Sequence, residues 1–248
     1  MSQRKAVVII PSRLESSRLP NKALADIHGQ PMIVHVYKRC MLAKSVQEVY
    51  VATDSVKIQK VILGCGGKVI MTSAHHETGS DRLAEAANNL DADIIVNVQG
   101  DEALVDPEYI DKAVNTLLSD PNINIGLLVC EFKKRNSPSD IKVVTNENNE
   151  IMYLSRSDIP SNSRTNDAPM LKAYHIVPFR RDFLMKYSQW EKGCLEKLEF
   201  NEYLRILEKG FSIKAIPVES DALSVDTPED LEYVRRKILK DKYFNLTQ

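Results

Sequence analysis

Three stretches of this chain place charged and hydroxyl side chains where they could act on an anionic substrate. The first is Pro11-Ser12-Arg13-Leu14-Glu15-Ser16-Ser17-Arg18-Leu19-Pro20-Asn21-Lys22, which holds three cations, three serines and no glycine. Guanidiniums, an ammonium and backbone amides in one loop suit a polyphosphate, whose charge must be matched by fixed donors. Without glycine the loop is neither a Walker A motif nor a GxGxxG dinucleotide fingerprint. On composition alone, a solvated surface loop is the simpler reading.

The second stretch is Val96-Asn97-Val98-Gln99-Gly100-Asp101-Glu102, an apolar run that delivers a carboxylate pair at its end. An aspartate there could hold magnesium, which takes one or two carboxylates and leaves its other positions to water and phosphate. A turn or helix-cap aspartate is the plainer alternative. The third is Ser224-Val225-Asp226-Thr227-Pro228-Glu229-Asp230. Here too a carboxylate follows a strand and precedes a helix, and a simple N-cap would account for Asp226. Glu77-Thr78-Gly79-Ser80-Asp81-Arg82 opens a helix with small residues that allow close approach of a base or sugar, or that merely cap it through Ser80. Lys142, Arg156, Lys172 and Arg205 sit among apolar neighbours. Taken singly, each is read as a cation reaching outward to water.

These loops need a scaffold, and the patterning supplies one. Strands are expected over 6–10, 48–52, 68–72 and 93–98, alternating with helices over 31–43, 56–63 and 80–90. That rhythm implies parallel βαβ units in a doubly wound sheet, with the ligand site outside the carboxyl ends of the strands. Further on, a helix over 108–118 and a strand over 125–131 precede a hairpin, 140–145 with 150–154, around Asn146-Glu147-Asn148-Asn149. A polar, mobile loop is expected over 161–169 and one strand over 173–179, weakened by Pro178. Helices over 182–188 and 195–208, a strand over 213–218 and a capped helix over 228–239 complete the chain.

The chain of 248 residues is long enough for a large α/β unit with a buried core. Its net charge of -1 gives no reason to expect nucleic-acid or anionic-membrane binding. Cys40, Cys65, Cys130 and Cys194 are scattered without metal-site spacing and read as buried, reduced thiols. The five histidines lack ligand spacing; adjacent His75 and His76 point to different faces. No apolar run approaches a membrane span, and the N-terminal run is too short for a signal peptide, so the chain is read as cytoplasmic.

Taken together, IIPSRLESSRLPNKALADIHGQPMIVHVY, VATD, GGKVIMTS, TGSDRLAEAA, IIVNVQGDEALVDP, IKVV, LSRSDIP, LEKLE and SVDTPEDLEYVR resemble the 3-deoxy-manno-octulosonate cytidylyltransferases, also called CMP-Kdo synthetases. The resemblance runs over about residues 6 to 236, and the first and fifth stretches are specific in combination. It implies one nucleotidyltransferase domain over 1–248, a doubly wound mixed α/β sheet like those of nucleotide-diphospho-sugar transferases. Within it, a smaller region over about 137–180 would serve a homodimer and bind the acceptor. It also implies transfer of CMP from CTP to a 2-keto sugar acid, with Mg2+ and release of pyrophosphate. By match, Arg13, Ser17, Arg18 and Lys22 would meet the CTP phosphates, and Thr78, Gly79, Ser80 and Arg82 would line the cytidine. Asp101 and Asp226 would carry the metal. Gln99 would contact the sugar acid, and Lys142 and Arg156 would hold its acid group or a phosphate; His175, Glu202 and Tyr203 are further candidates for binding substrate, not carried over by match.

The chain departs from the family on the acceptor side. In Lys172-Ala173-Tyr174-His175-Ile176-Val177-Pro178-Phe179-Arg180, Ala173 stands where a sugar-binding His is expected and Val177 where a sugar-binding Tyr is expected. Tyr203 follows Glu202 in place of the usual Gln, and Ala103 replaces the usual Pro after Gly-Asp-Glu. Losing an imidazole, a phenol and an amide removes hydrogen bonds of about 1 kcal/mol each, which His175 and Tyr203 could restore in another geometry. The acceptor is therefore left open between the octulosonate, a related nonulosonate and a phosphonate. A non-catalytic nucleotide-binding protein of the same fold is the alternative of another class.

Overall fold

The first strand, β1 (Ala6–Ser12), is buried along its whole length, as its β-branched run requires of a strand covered on both faces. The computed structural model describes residues 4–15, 18–76, 78–164, 168–220 and 223–247. After β1 come a 3₁₀ turn (Lys22–Leu24), the small ribbon β2 (Asp26–Ile27) and β3 (Gln30–Pro31), and α1 (Met32–Cys40). Next are β4 (Glu48–Thr53), α2 (Val56–Gly64), β5 (Lys68–Met71), α3 (Gly79–Ala87), β6 (Ile94–Val98) and α4 (Pro107–Ser119). The second half holds β7 (Gly126–Phe132), β8 (Lys142–Thr145), β9 (Ile151–Ser155), β10 (Met170–Tyr174) and β11 (Ile176–Arg180). It ends with α5 (Arg181–Ser188), α6 (Cys194–Glu199), α7 (Leu204–Glu208), β12 (Lys214–Pro217), α8 (Pro228–Ile238) and a 3₁₀ turn (Phe244–Leu246).

The larger sheet has the order β11-β6-β1-β4-β5, parallel except for β11, which runs antiparallel to β6. The expected mixed, doubly wound α/β sheet is what forms. The second sheet, β12-β7-β10-β8-β9, is antiparallel apart from the β12–β7 pair. The β8–β9 hairpin turns at Asn149, whose φ of 54° is the left-handed conformation that asparagine tolerates. One core lies between the large sheet and α1, α2 and α4. Another joins both sheets to α3 and α5. A third, built from Ile27, Met32, Ala103, Val225, Leu231, Val234 and Ile238, clamps α8 against the turn that follows β6.

Several expectations are corrected. The strand expected over 173–179 is two strands, because the chain leaves the second sheet at His175 and enters the first. Pro178 is tolerated because β11 is an edge strand, tied on its outer side by one bridge between Ile125 and Phe179. The helix expected over 195–208 breaks at Phe200, whose φ is 50°, and gives two short helices. Thr78, not Ser80, caps α3, in a capping box with Asp81. Cys40 and Cys130 are buried, but Cys65 and Cys194 are exposed. Lys142 and Arg205 do not reach outward; both are buried. Part of the polar 161–169 loop lies outside the described residues.

Candidate active site

The turn after β6 and the segment before α8 are joined by their backbones, Val225 donating to the carbonyl of Asp101 at 3.1 Å. Gly100 lets this turn press against β1: an added Cβ would stand 3.4 Å from the Pro11 carbonyl oxygen and 3.2 Å from Ile33. Thr227 caps α8 by accepting from the amide of Asp230. Asp226 is thus released from the capping role that the sequence allowed it, and its carboxylate faces the same rim as Asp101.

Lys22 gathers the two. Its Nζ donates to Asp101 Oδ2 at 2.5 Å and to Asp226 Oδ1 at 3.1 Å. The two carboxylate oxygens therefore lie no farther apart than the sum of those distances, joined by one ammonium. Arg18 reaches the same oxygen of Asp226, with Nη2 at 2.9 Å. Burial alone would depress the Lys22 ammonium, but Asp101 and Asp226 outweigh it and hold its pKa above the ordinary lysine value.

Two cavities open at this rim. The smaller, about 280 Å³, is walled by Pro11, Ser12, Arg13, Arg18, Lys22 and Gly100. The larger, about 750 Å³, shares Arg13, Arg18, Gln99, Asp101 and Asp226 with it. It extends past Thr78, Gly79, Glu202 and Tyr203 to Arg156, His175, Lys192 and Lys197. A Cβ on Gly79 would approach Gln99 Nε2 at 3.8 Å, Pro11 at 3.9 Å and Glu202 Oε1 at 4.0 Å, so the start of α3 forms part of this wall.

Glu202 stands at the start of α3 and accepts from the amide of Ser80 at 3.3 Å. Burial pushes its carboxyl above the usual range, against hydrogen bonds from Thr78 and Ser80. Tyr203 is buried, its hydroxyl accepting from Asn97 Nδ2 at 3.4 Å. His175 lies at the joint between β10 and β11. Burial lowers its pKa against the pull of Asp101, with Lys172 and Arg156 pushing the same way as burial. It is a neutral imidazole at neutral pH. Glu102 parts company with Asp101: it is buried, accepts from the Ser224 hydroxyl, and is pushed up to about 7 by burial and by the charge of Asp101.

Not every predicted residue reaches the cavity. Lys142 gives its three ammonium protons to the carbonyls of Ser137 at 2.7 Å, Asp140 at 2.8 Å and Arg156. It ties a loop together and has no donor left for an acid group or a phosphate. Arg82, on α3, is buried and donates to Thr72 Oγ1 at 2.5 Å. Ser80 is buried and contributes its amide to Glu202. Arg156 does line the cavity, but three of its donors go to the carbonyls of Glu199, Pro138 and Phe200. Ala173 and Val177 belong to the core joining the two sheets. Ser17 lies outside the described residues.

Other wall residues were not foreseen. Ser139, Ile141, Lys192, Lys197 and Asn201 line the larger cavity. Their positions depend on the break at Phe200 and on the loop held by Lys142, neither of which leaves a local pattern. Ser224 also lines it and was within reach, since it opens the stretch singled out for Asp226.

A doubly wound sheet with two carboxylates, a lysine and arginines at its carboxyl rim defines a nucleotidyltransferase site. A family profile described as cytidylyltransferase matches residues 7–216, and the chain belongs to that family. Within it, the chain is 43% identical over 248 residues to the 3-deoxy-manno-octulosonate cytidylyltransferase of Geobacter metallireducens, covering 94% of this chain and 98% of that one. It is 40% identical over 233 residues to the enzyme of the same name from Escherichia coli, covering 93% and 95%. A solved structure of CMP:2-keto-3-deoxy-manno-octonic acid synthetase complexed with CTP superposes with a TM-score of 0.91 at 39% identity, covering 95% and 99%. The particular branch is therefore that of the 3-deoxy-manno-octulosonate cytidylyltransferases.

Proposed function

We propose that this protein transfers CMP from CTP to 3-deoxy-manno-octulosonate or a closely related ulosonate and releases pyrophosphate. The observation that carries this reading is the meeting of Asp101 and Asp226 on Lys22 at the sheet rim. The named relatives favour a sugar acid over a phosphonate, and an enzyme over a non-catalytic nucleotide binder.

The donor set suits a divalent ion, magnesium in our reading. Magnesium is commonly held by one or two carboxylates plus phosphate oxygens, and this pair already attracts a cation in Lys22. Asp101 and Asp226 would hold the ion. When bound, it polarises the α-phosphate and lowers the pKa of the acceptor hydroxyl.

The protein's own residues do the rest. Arg13, Arg18 and Lys22 bind the phosphates and offset the charge that gathers on the departing pyrophosphate. Thr78 and Gly79 flank the nucleoside, and Gln99 stands between it and the acceptor. His175, Arg156, Glu202 and Tyr203 orient the acceptor so that its hydroxyl oxygen attacks the α-phosphorus in line with the bond to pyrophosphate. That bond breaks as the new P–O bond forms, and the hydroxyl proton leaves to solvent. No covalent enzyme intermediate is required.

We place the acceptor-binding and dimer-forming part in the smaller region over about 137–180. Met152 on the outer strand β9 of the second sheet is 63% exposed, which suits contact with a second copy. CTP as substrate favours a cytoplasmic location, and no described helix is long and apolar enough to cross a membrane. The deciding experiment measures pyrophosphate release with Mg2+ across four nucleoside triphosphates and a panel of octulosonate, sialic-type acids and 2-aminoethylphosphonate. Octulosonate with CTP should dominate. Turnover confined to the phosphonate, or none at all, would overturn the reading.

A further inference from the structure

Lys22 has a place in this site that phosphate binding does not explain. Only 18% of its side chain is exposed, and its ammonium lies between the two carboxylates. Arg18 adds a contact to Asp226. The two negative charges at the rim are thus already met by two positive ones from the chain itself. A divalent ion held by Asp101 and Asp226 would compete with Lys22 for the same pair of carboxylates. At such short range an ammonium and a divalent ion repel strongly, so each weakens the other's hold on the pair.

We infer that Lys22 is the resident counter-ion of the carboxylate pair, displaced by the divalent ion only when a polyphosphate offers its ammonium a new partner. This rests on the reading of Asp101 and Asp226 as the metal pair. The geometry supports the exchange. Lys22 opens the 3₁₀ turn next to Asn21, which is held in the left-handed conformation at φ 55°. Its side chain also lines the smaller cavity with Arg13 and Arg18. A modest swing carries the ammonium from the carboxylates to anything anionic in that cavity. The free protein thereby keeps two part-buried carboxylates neutralised, and metal and nucleotide enter as a coupled pair.

The test uses Mn2+ alone as the probe, followed by the paramagnetic signal of the free ion, without nucleotide or acceptor. Wild type should bind Mn2+ weakly. Lys22→Gln should bind it about tenfold tighter or more, Lys22→Arg should stay near wild type, and Lys22→Gln combined with Asp101→Asn should lose the gain. Lys22→Met serves if Lys22→Gln does not fold. Thermal melts give a second reading: Mn2+ should raise the Tm of the neutral variant more than that of wild type. Equal affinities in wild type and Lys22→Gln overturn the inference, as does a gain that survives Asp101→Asn or appears in Lys22→Arg. Absence of binding by either neutral variant overturns it together with the metal assignment. A failed acceptor assay alongside the expected Mn2+ pattern would overturn only the reaction.

Discussion

Arg205 grips Glu196 through two donors on one guanidinium edge, Nε at 2.7 Å and Nη2 at 2.6 Å, and the pair is almost completely buried. A third donor reaches the carbonyl of Trp190 at 3.0 Å. The pair locks α6 to α7 and so sets the wall that carries Lys192, Lys197 and Asn201. Removing one partner strands the other charge in the interior. Arg205→Met should therefore cost about 3–5 kcal/mol, measured by urea unfolding. A loss below about 1 kcal/mol would show that the wall is held by other contacts.

Asp101→Asn should lower kcat by about 10²-fold or more, the order seen when a fixed electrostatic partner of a reacting group is lost. Stability should stay near wild type, because the amide can still accept from Lys22. Steady-state kinetics beside a thermal melt checks both halves. Wild-type kcat would remove Asp101 from the chemistry.

Lys142→Met should behave in the opposite way. Leaving the carbonyls of Ser137, Asp140 and Arg156 without their donor should cost about 2–4 kcal/mol. The KM values for the acceptor and for CTP should be unchanged, since Lys142 does not face the cavity. A rise in the acceptor KM without loss of stability would return Lys142 to the binding surface.

The large sheet was legible in the sequence because it rests on local signals, β-branched runs and capping sequences, whereas the 11–22 loop read from composition as a solvated loop and was assigned to phosphate only through the family resemblance. The far wall of the larger cavity was not legible in the same way. Lys142 and Arg205 each look like an outward-reaching cation until the fold brings three carbonyls to one and Glu196 to the other. The break at Phe200 puts a bulky residue at positive φ, which propensity argues against. Asp226 could be read as a cap or as a ligand, and only in three dimensions does Thr227 prove to be the cap.

His175→Ala should raise the acceptor KM by about tenfold, the worth of one well-placed hydrogen bond, and leave the CTP KM alone. Initial-rate kinetics with each substrate varied in turn tests this. Equal changes in both constants would mean that His175 supports the fold and does not touch the acceptor.

A pH dependence of stability follows from His35, which is fully buried on α1. Its Nε2 donates to the Ile27 carbonyl at 2.8 Å, and its Nδ1 has no partner among the described residues. Burial, opposed by that hydrogen bond, lowers its pKa below the ordinary 6.5. The unfolded chain therefore takes up the proton first. The contribution of His35 to stability is complete above pH 6.5 and is lost as the pH falls toward the lower, folded-state value, by at most about 1.4 kcal/mol per unit. Denaturant titrations from neutral pH down to about pH 5 should show this slope, reduced in His35→Gln. The same slope in both proteins would assign the acid sensitivity elsewhere.

The chain passes from the second sheet to the first at His175, within a single residue. The rim that gathers Lys22, Asp101 and Asp226 follows strands of the first sheet, while the opposite wall of the cavity is built from loops flanking β8 and β9 and from the α6–α7 segment. Selection can thus alter the wall near α6 and α7, at positions such as Asn201 and Tyr203, with little effect on the residues gathered at the rim of the first sheet. A lineage meeting a new acid could change its customer while keeping its engine.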